Sequence, residues 1–165
     1  MKREECSKCG RDARVVREDY VWEDVDFPVT LRNVELIRCD RCGNADVVIP
    51  KMGQLMRTLA LAVVSKPYRL RGEEVRFLRK YLNMTGEEFS KLLTIDKTTL
   101  SKWENNADPV GEQSDRLIRT IVLGLDKGLR AELEHVIRQF SEIQTEPKKI
   151  SIRMDPAKMS FEYAA

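Results

Sequence analysis

Histidine is almost missing from this sequence: His135 is the only one in 165 residues. It has no second ligand nearby and no adjacent nucleophile, so it is read as a surface or packing residue. A glycine-rich phosphate loop is also lacking. Beyond the cysteines nothing groups as a metal or catalytic constellation, and no enzyme is expected. No apolar run approaches the roughly 20 residues of a membrane span. The opening MKREECSKCG contains no hydrophobic signal core, so a cytoplasmic protein is expected. Charge of one sign is missing too. Lys and Arg number 29 against 27 Asp and Glu, and a net +2 is too little to mark a nucleic-acid binder. Any such surface must come from local gathering. The candidates are Arg69, Arg71, Arg76, Arg79 and Lys80, residue types equally ordinary on a helix surface.

Cysteine is scarce but concentrated. Cys6 and Cys9 lie in CSKCG, Cys39 and Cys42 in CDRCG, and there are no others. In a reducing cytoplasm this spacing argues for a metal and against disulfides. Each Cys-x-x-Cys turn presents two thiolates to one ion, and two turns complete a tetrahedral four-sulfur site. Gly10 and Gly43 follow each pair, where a residue without a side chain lets backbone amides turn toward sulfur. One structural Zn2+ per chain is expected, with iron in a rubredoxin-like site as the rival. A closed four-cysteine site has no open coordination position, which argues against hydrolytic chemistry.

Between the knuckles, ARVVREDYVWEDV and VTLRNVELIRC alternate apolar with polar residues and read as strands, separated by Phe27-Pro28. ADVVIP is a short third strand stopped by Pro50. Residues 1–50 thus read as a zinc ribbon, too small to fold without its metal. Trp22, Phe27 and Tyr20 form either its miniature core or an exposed aromatic surface for a partner protein.

KMGQLMRTLALAVVS has helical periodicity, with Met52, Leu55, Met56, Leu59, Ala62 and Val63 on one side, making 51–66 a linker helix. Residues 67–140 read as an all-α domain. LRGEEVRFLRKYLN turns Leu70, Val75, Leu78 and Leu82 inward, and QSDRLIRTIVLGL completes the bundle with Leu117, Ile118, Ile121, Val122 and Leu125. RAELEHVIRQF is the last helix. In TGEEFSKLLTIDKTTLSKWENN two short helices sit almost end to end. Thr85 and Glu88 form a capping box for the first, whose apolar side is Phe89, Leu92 and Leu93. Asp96 is an N-cap for the second, from Lys97 to Glu104. Leu100 and Trp103 share a face that must be buried. Lys97, Thr98, Thr99, Ser101, Lys102 and Asn105 are the candidate DNA-binding residues, short hydrogen-bonding side chains mixed with cations that suit a major groove. The bland alternative is a solvated polar face.

FSKLLTIDKTTLSKWENN resembles the recognition segment of the Xre/Cro family of repressors, and Ser90, Ile95, Asp96, Thr99, Leu100, Ser101, Trp103, Glu104 and Asn105 fit its pattern. Thr94 departs from it, standing where the family usually has a turn glycine. Asn106 stands where it has a terminal glycine. The four-cysteine ribbon followed by such a helix-turn-helix resembles the MqsA-type (YgiT-type) antitoxins. The resemblance implies an α+β protein: an N-terminal zinc ribbon, then an all-α Xre-like helix-turn-helix domain. It also implies a homodimer that binds a double-stranded DNA operator and represses its own operon, with the ribbon engaging a toxin protein. The stand-alone alternative is a zinc-containing Xre-family regulator with no toxin partner. The family's base-contacting Asn and Arg fall at Thr98 and Lys102, so its operator is not carried over.

The tail, 141–165, falls outside the resemblance. Ile150, Ile152 and Met154 alternate, Asp155-Pro156 is a turn signal, and Met159, Phe161 and Tyr163 alternate again. These residues form either a β-hairpin, packed on the ribbon, the bundle or a second subunit, or a partly disordered tail.

Overall fold

The structure, a computed structural model, describes residues 3–164. Strands β1 (Arg3–Glu5), β2 (Asp12–Val21), β3 (Val29–Arg38) and β4 (Ala45–Val48) come first. Then follow α1 (Met52–Val64), α2 (Gly72–Tyr81), α3 (Gly86–Leu92), α4 (Lys97–Glu104), α5 (Glu112–Leu125) and α6 (Leu133–Arg138). Strands β5 (Ser151–Asp155) and β6 (Ser160–Ala164) come last. The region expected as one final helix is instead the six-residue α6 between 3-10 turns at Arg130–Glu132 and Gln139–Glu142.

The architecture is mixed α+β, and the strands join a single six-stranded sheet in the order β1-β2-β3-β5-β6, with β4 also on β3. β2 and β3 run antiparallel, with a register shift between Glu18 and Tyr20. Nearby, Asn33 takes φ +49 and its amide donates to Asp19 Oδ1 at 2.9 Å. Two partners share the other edge of β3. β4 takes its C-terminal half, Glu35 to Arg38, and β5 takes Val29 to Leu31 in parallel. The parallel pair is possible because more than a hundred residues, including all the helices, connect the two strands.

One continuous apolar core runs through sheet and helices. Trp22, Phe27, Val29 and Leu31 of the sheet region pack in the same cluster as Leu55, Leu59, Leu78, Ile118, Ile152 and Met154. Trp22 and Phe27 are therefore core residues. The Phe27 ring meets Phe77 of α2 edge-on at 5.3 Å. Several residues expected inside lie outside: Met52, Leu92, Leu117 and Leu125 are all exposed. On α5 the inward face passes instead through Asp115, Ile118, Arg119, Val122 and Leu123. Two charged residues take inward positions that an apolar count would miss.

Those two belong to a buried charge cluster. Lys66 Nζ donates to both carboxylate oxygens of Glu74 at 2.6 and 2.5 Å, and neither side chain reaches solvent. Arg119 forms a bidentate pair with Asp115 and donates to the carbonyls of Val64, Lys66 and Tyr68. All five of its N–H groups are thereby used. Asp115 Oδ1 also accepts from the Leu70 amide at 2.7 Å. Burial pushes the Lys66 ammonium down and the Glu74 carboxyl up from their ordinary values. The cluster joins α1, α2 and α5 around the Lys66-Pro67 corner, where the chain has no regular structure to satisfy its carbonyls.

Candidate functional site: four thiolates and an exposed polar helix

The two knuckles are built alike. The Cys6 amide donates to Arg11 O and the Gly10 amide to Cys6 O; the Cys39 amide donates to Asn44 O and the Gly43 amide to Cys39 O. Gly10 and Gly43 take φ +66 and +71, the left-handed conformation that closes each turn. Pairing of β2 with β3 then brings the two turns together. All four sulfurs lie within 4.8 Å of one another, with Cys6 to Cys42 and Cys9 to Cys39 both at 3.6 Å. Four sulfurs around an ion at tetrahedral zinc–sulfur distances lie roughly 3.8 Å apart, so the donor set fits one metal ion.

The electrostatics suit this use. The backbone amide of Cys42 lowers the Cys39 thiol to about 7 despite burial. At Cys42 the Asn44 amide works the same way, but burial and the neighbouring sulfurs outweigh it and raise that thiol to about 11. A bound cation would favour the thiolate form at both of these cysteines. Ser7 Oγ donates to Asp46 at 2.6 Å, and Asn44 Nδ2 donates to Asp46 at 2.9 Å and to Ser7 at 3.2 Å. These bonds tie the first knuckle to β4 and hold the thiolates in register. No sequence signal marked them.

The second candidate site begins with caps. Thr85 and Glu88 form the expected box, with Thr85 N donating to Glu88 Oε2 at 2.7 Å and Glu88 N to Thr85 Oγ1 at 3.2 Å. Asp96 caps α4 by accepting from the Thr98 amide at 3.4 Å. Helices α2, α3 and α4 all end in the same pair of reversed bonds, one from the residue after the cap and one from the next. Asn83, Thr94 and Asn106 take the left-handed position in these ends, at φ +56, +54 and +55. The usual occupant is glycine, and a β-branched threonine there is strained.

On α4, Leu100 and Trp103 are buried, while Lys97, Thr98, Ser101, Lys102 and Asn105 are exposed and Thr99 is half-buried. Lys97 and Thr98 make no side-chain bond among the described residues. Lys102 reaches Asp108 at 3.4 Å. Asn105 is already engaged: its Oδ1 accepts from Arg76 at 2.8 Å and its Nδ2 donates to Ser101 O at 2.9 Å. It closes the helix end and presents little to a ligand.

The basic cluster read from sequence is largely spent on internal pairs. Arg69 binds Glu112, Arg71 binds Glu73, and Arg79 clasps Glu104 through Nε at 2.6 Å and an Nη at 3.0 Å. Arg76 donates to the Glu104 carbonyl at 2.8 Å. Lys80 alone of that set stands exposed without an ion-pair partner among the described residues. The cations left without an ion pair near α4 among the described residues are thus Lys97 and, on α2, Lys80, while the exposed Lys102 faces Asp108.

Comparison of the chain with protein-family models, with curated proteins and with solved structures finds no match in any of the three. Among the described residues, no helix is long and apolar enough to cross a membrane.

Proposed function

We propose that this protein is a sequence-specific repressor that binds double-stranded DNA as a homodimer, with α3 and α4 as a helix-turn-helix and the four cysteines holding one structural zinc ion. The observation that carries the reading is the two-sidedness of α4: Leu100 and Trp103 anchor it, while Lys97, Thr98, Ser101 and Lys102 face outward with little to do inside the fold. Thr and Ser hydroxyls read base edges, and the two lysines pair with phosphate or guanine. The exposed Leu117 and Leu125 on α5, with the half-buried Ile121 between them, support dimerisation, since a second copy covers them by the same face. Two α4 helices related in this way read half-sites about 10 base pairs apart, or a multiple of that.

The metal-loaded protein, challenged with a randomised duplex library, is expected to enrich one palindromic site. The double variant Thr98→Ala/Lys102→Ala should then lose that site while keeping its circular dichroism spectrum. Unchanged affinity in the variant rejects the reading.

The resemblance to MqsA-type antitoxins extends the proposal to a toxin held by the ribbon. A toxin gene beside this one, and a complex that survives purification after co-expression, supports the antitoxin. Their absence favours the stand-alone regulator.

A further inference from the structure

The four cysteines of the metal site differ in exposure. Cys9 is exposed, Cys42 is half-buried, and Cys6 and Cys39 are buried. The exposed cysteine does not stand alone: Cys9 Sγ lies 3.6 Å from Cys39 Sγ, and Cys42 Sγ lies 3.6 Å from Cys6 Sγ. Each more accessible cysteine thus meets a buried cysteine of the opposite knuckle. An accessible thiolate with a second thiol beside it is the arrangement in which oxidation ends as a disulfide and does not run on to sulfinic acid. Closing a 3.6 Å contact to a disulfide bond of about 2.05 Å takes a movement of roughly 1.5 Å.

The knuckles are also tied to each other without sulfur. Ser7, between Cys6 and Cys9, donates to Asp46 at 2.6 Å, and Asn44, two residues beyond Cys42, donates to both Asp46 and Ser7. Pairing of β2 and β4 with β3 holds the same ends together, Arg14 and Ala45 both standing opposite Arg38. None of these bonds uses a thiolate. They keep the two turns facing each other after the thiolates are spent.

We propose that the four-cysteine site is an oxidant-responsive switch, in which a peroxide takes Cys9 first and the two contacts between knuckles become disulfides, ending the site's hold on its metal ion. The Cys9 thiolate attacks one peroxide oxygen, the O–O bond breaks and hydroxide leaves, giving a sulfenic acid. The Cys39 thiolate then attacks the Cys9 sulfur and expels a second hydroxide. Two electrons pass from the sulfur pair to the peroxide, and both hydroxides take protons from water. A second peroxide converts Cys42 and Cys6 in the same way, with the half-buried Cys42 as the member that meets it. The first disulfide removes two of the four ligands and the second removes the rest. The inference rests on the reading that these cysteines hold a metal ion.

The test uses the full-length, metal-loaded chain and hydrogen peroxide. Released metal is read with a chromogenic chelator, the first oxidised cysteine is trapped with dimedone, and disulfides are mapped by mass spectrometry after the remaining thiols are blocked. Expected are dimedone on Cys9 ahead of the other three, disulfides Cys9–Cys39 and Cys6–Cys42, and release of the whole metal content. A dithiol reductant with added Zn2+ should restore that content. The oxidised chain should unfold at a higher temperature than the reduced, chelated one, because the Cys9–Cys39 link joins residues 30 positions apart. Metal retained in a large excess of peroxide overturns the proposal. So do disulfides within a knuckle, Cys6–Cys9 and Cys39–Cys42, disulfides between chains, or first labelling at any cysteine other than Cys9. A chain purified without metal rejects the metal reading, while the labelling order and the disulfide pattern test the oxidation in either case.

Discussion

The Gly72 amide donates to Asn106 Oδ1 at 2.9 Å, so the first turn of α2 is fastened to the residue that ends α4. A Cβ placed on Gly72 would lie 1.9 Å from the Trp103 carbonyl oxygen. Asn106 Nδ2 completes the clasp by donating to Glu73 at 2.7 Å. The orientation of α4 therefore depends on a missing side chain in another helix. Gly72→Ala is expected to destabilise the protein by about 2 kcal/mol or more, because the contact is with backbone, which cannot rotate away. Urea titration checks this. Wild-type stability in the alanine variant would show that the two helices are not held at this distance.

Thr94 points the other way. Its positive φ costs a β-branched residue roughly 1–2 kcal/mol, and glycine returns part of that gain as unfolded-chain entropy. Thr94→Gly should therefore raise stability by about 0.5–1 kcal/mol. A fall in the denaturation midpoint would contradict the strained conformation.

Removing the metal should affect more than the knuckles. β2 and β3 carry the cysteine turns at one end and core residues such as Val29, Leu31 and Leu36 along their length. Chelation, or Cys39→Ser, is expected to lower the unfolding temperature of the whole chain in one transition. Elemental analysis should give one metal ion per chain beforehand. Retention of the full melting profile after complete metal loss would show that the site adds nothing to folding.

Glu74→Gln leaves the Lys66 ammonium buried without its counter-charge and should cost about 3–5 kcal/mol. The paired change Lys66→Met/Glu74→Leu should recover most of that loss, since it removes both desolvation penalties together. Thermal denaturation of the two variants decides it, and equal damage from both would show that charge pairing is not the source.

Acid should weaken the fold through its caps. The Thr85 amide holds Glu88 below its usual range, and the Lys158 amide does the same for Asp155. A carboxyl lowered in the folded state adds stability that is present above its unfolded pKa and lost as pH falls through the folded one. Stability should therefore hold on the acid side down to about pH 4.5 and decline below it. Glu88→Gln should flatten part of that decline, and an unchanged acid limb would remove the capping box from the explanation.

What the sequence determined by itself is local. The Cys-x-x-Cys-Gly turns, the caps at Thr85 and Asp96, and the burial of Leu100 and Trp103 each depend on residues within a few positions of one another, where turn geometry and helical period leave few choices. Tertiary structure decided the rest. β5 reaches the N-terminal half of β3 because β4 covers only the other half of that edge, and alternation alone names no partner. Arg69, Arg71, Arg76, Arg79 and Asn105 look like a free polar surface in the sequence but face Glu112, Glu73 and the end of α4 in the fold. Arg119 and Lys66 are buried against the ordinary preference of their residue types because Asp115, Glu74 and the carbonyls of an irregular corner converge on them. A charge's environment is set by everything within a few ångströms, and most of those neighbours lie far away along the chain.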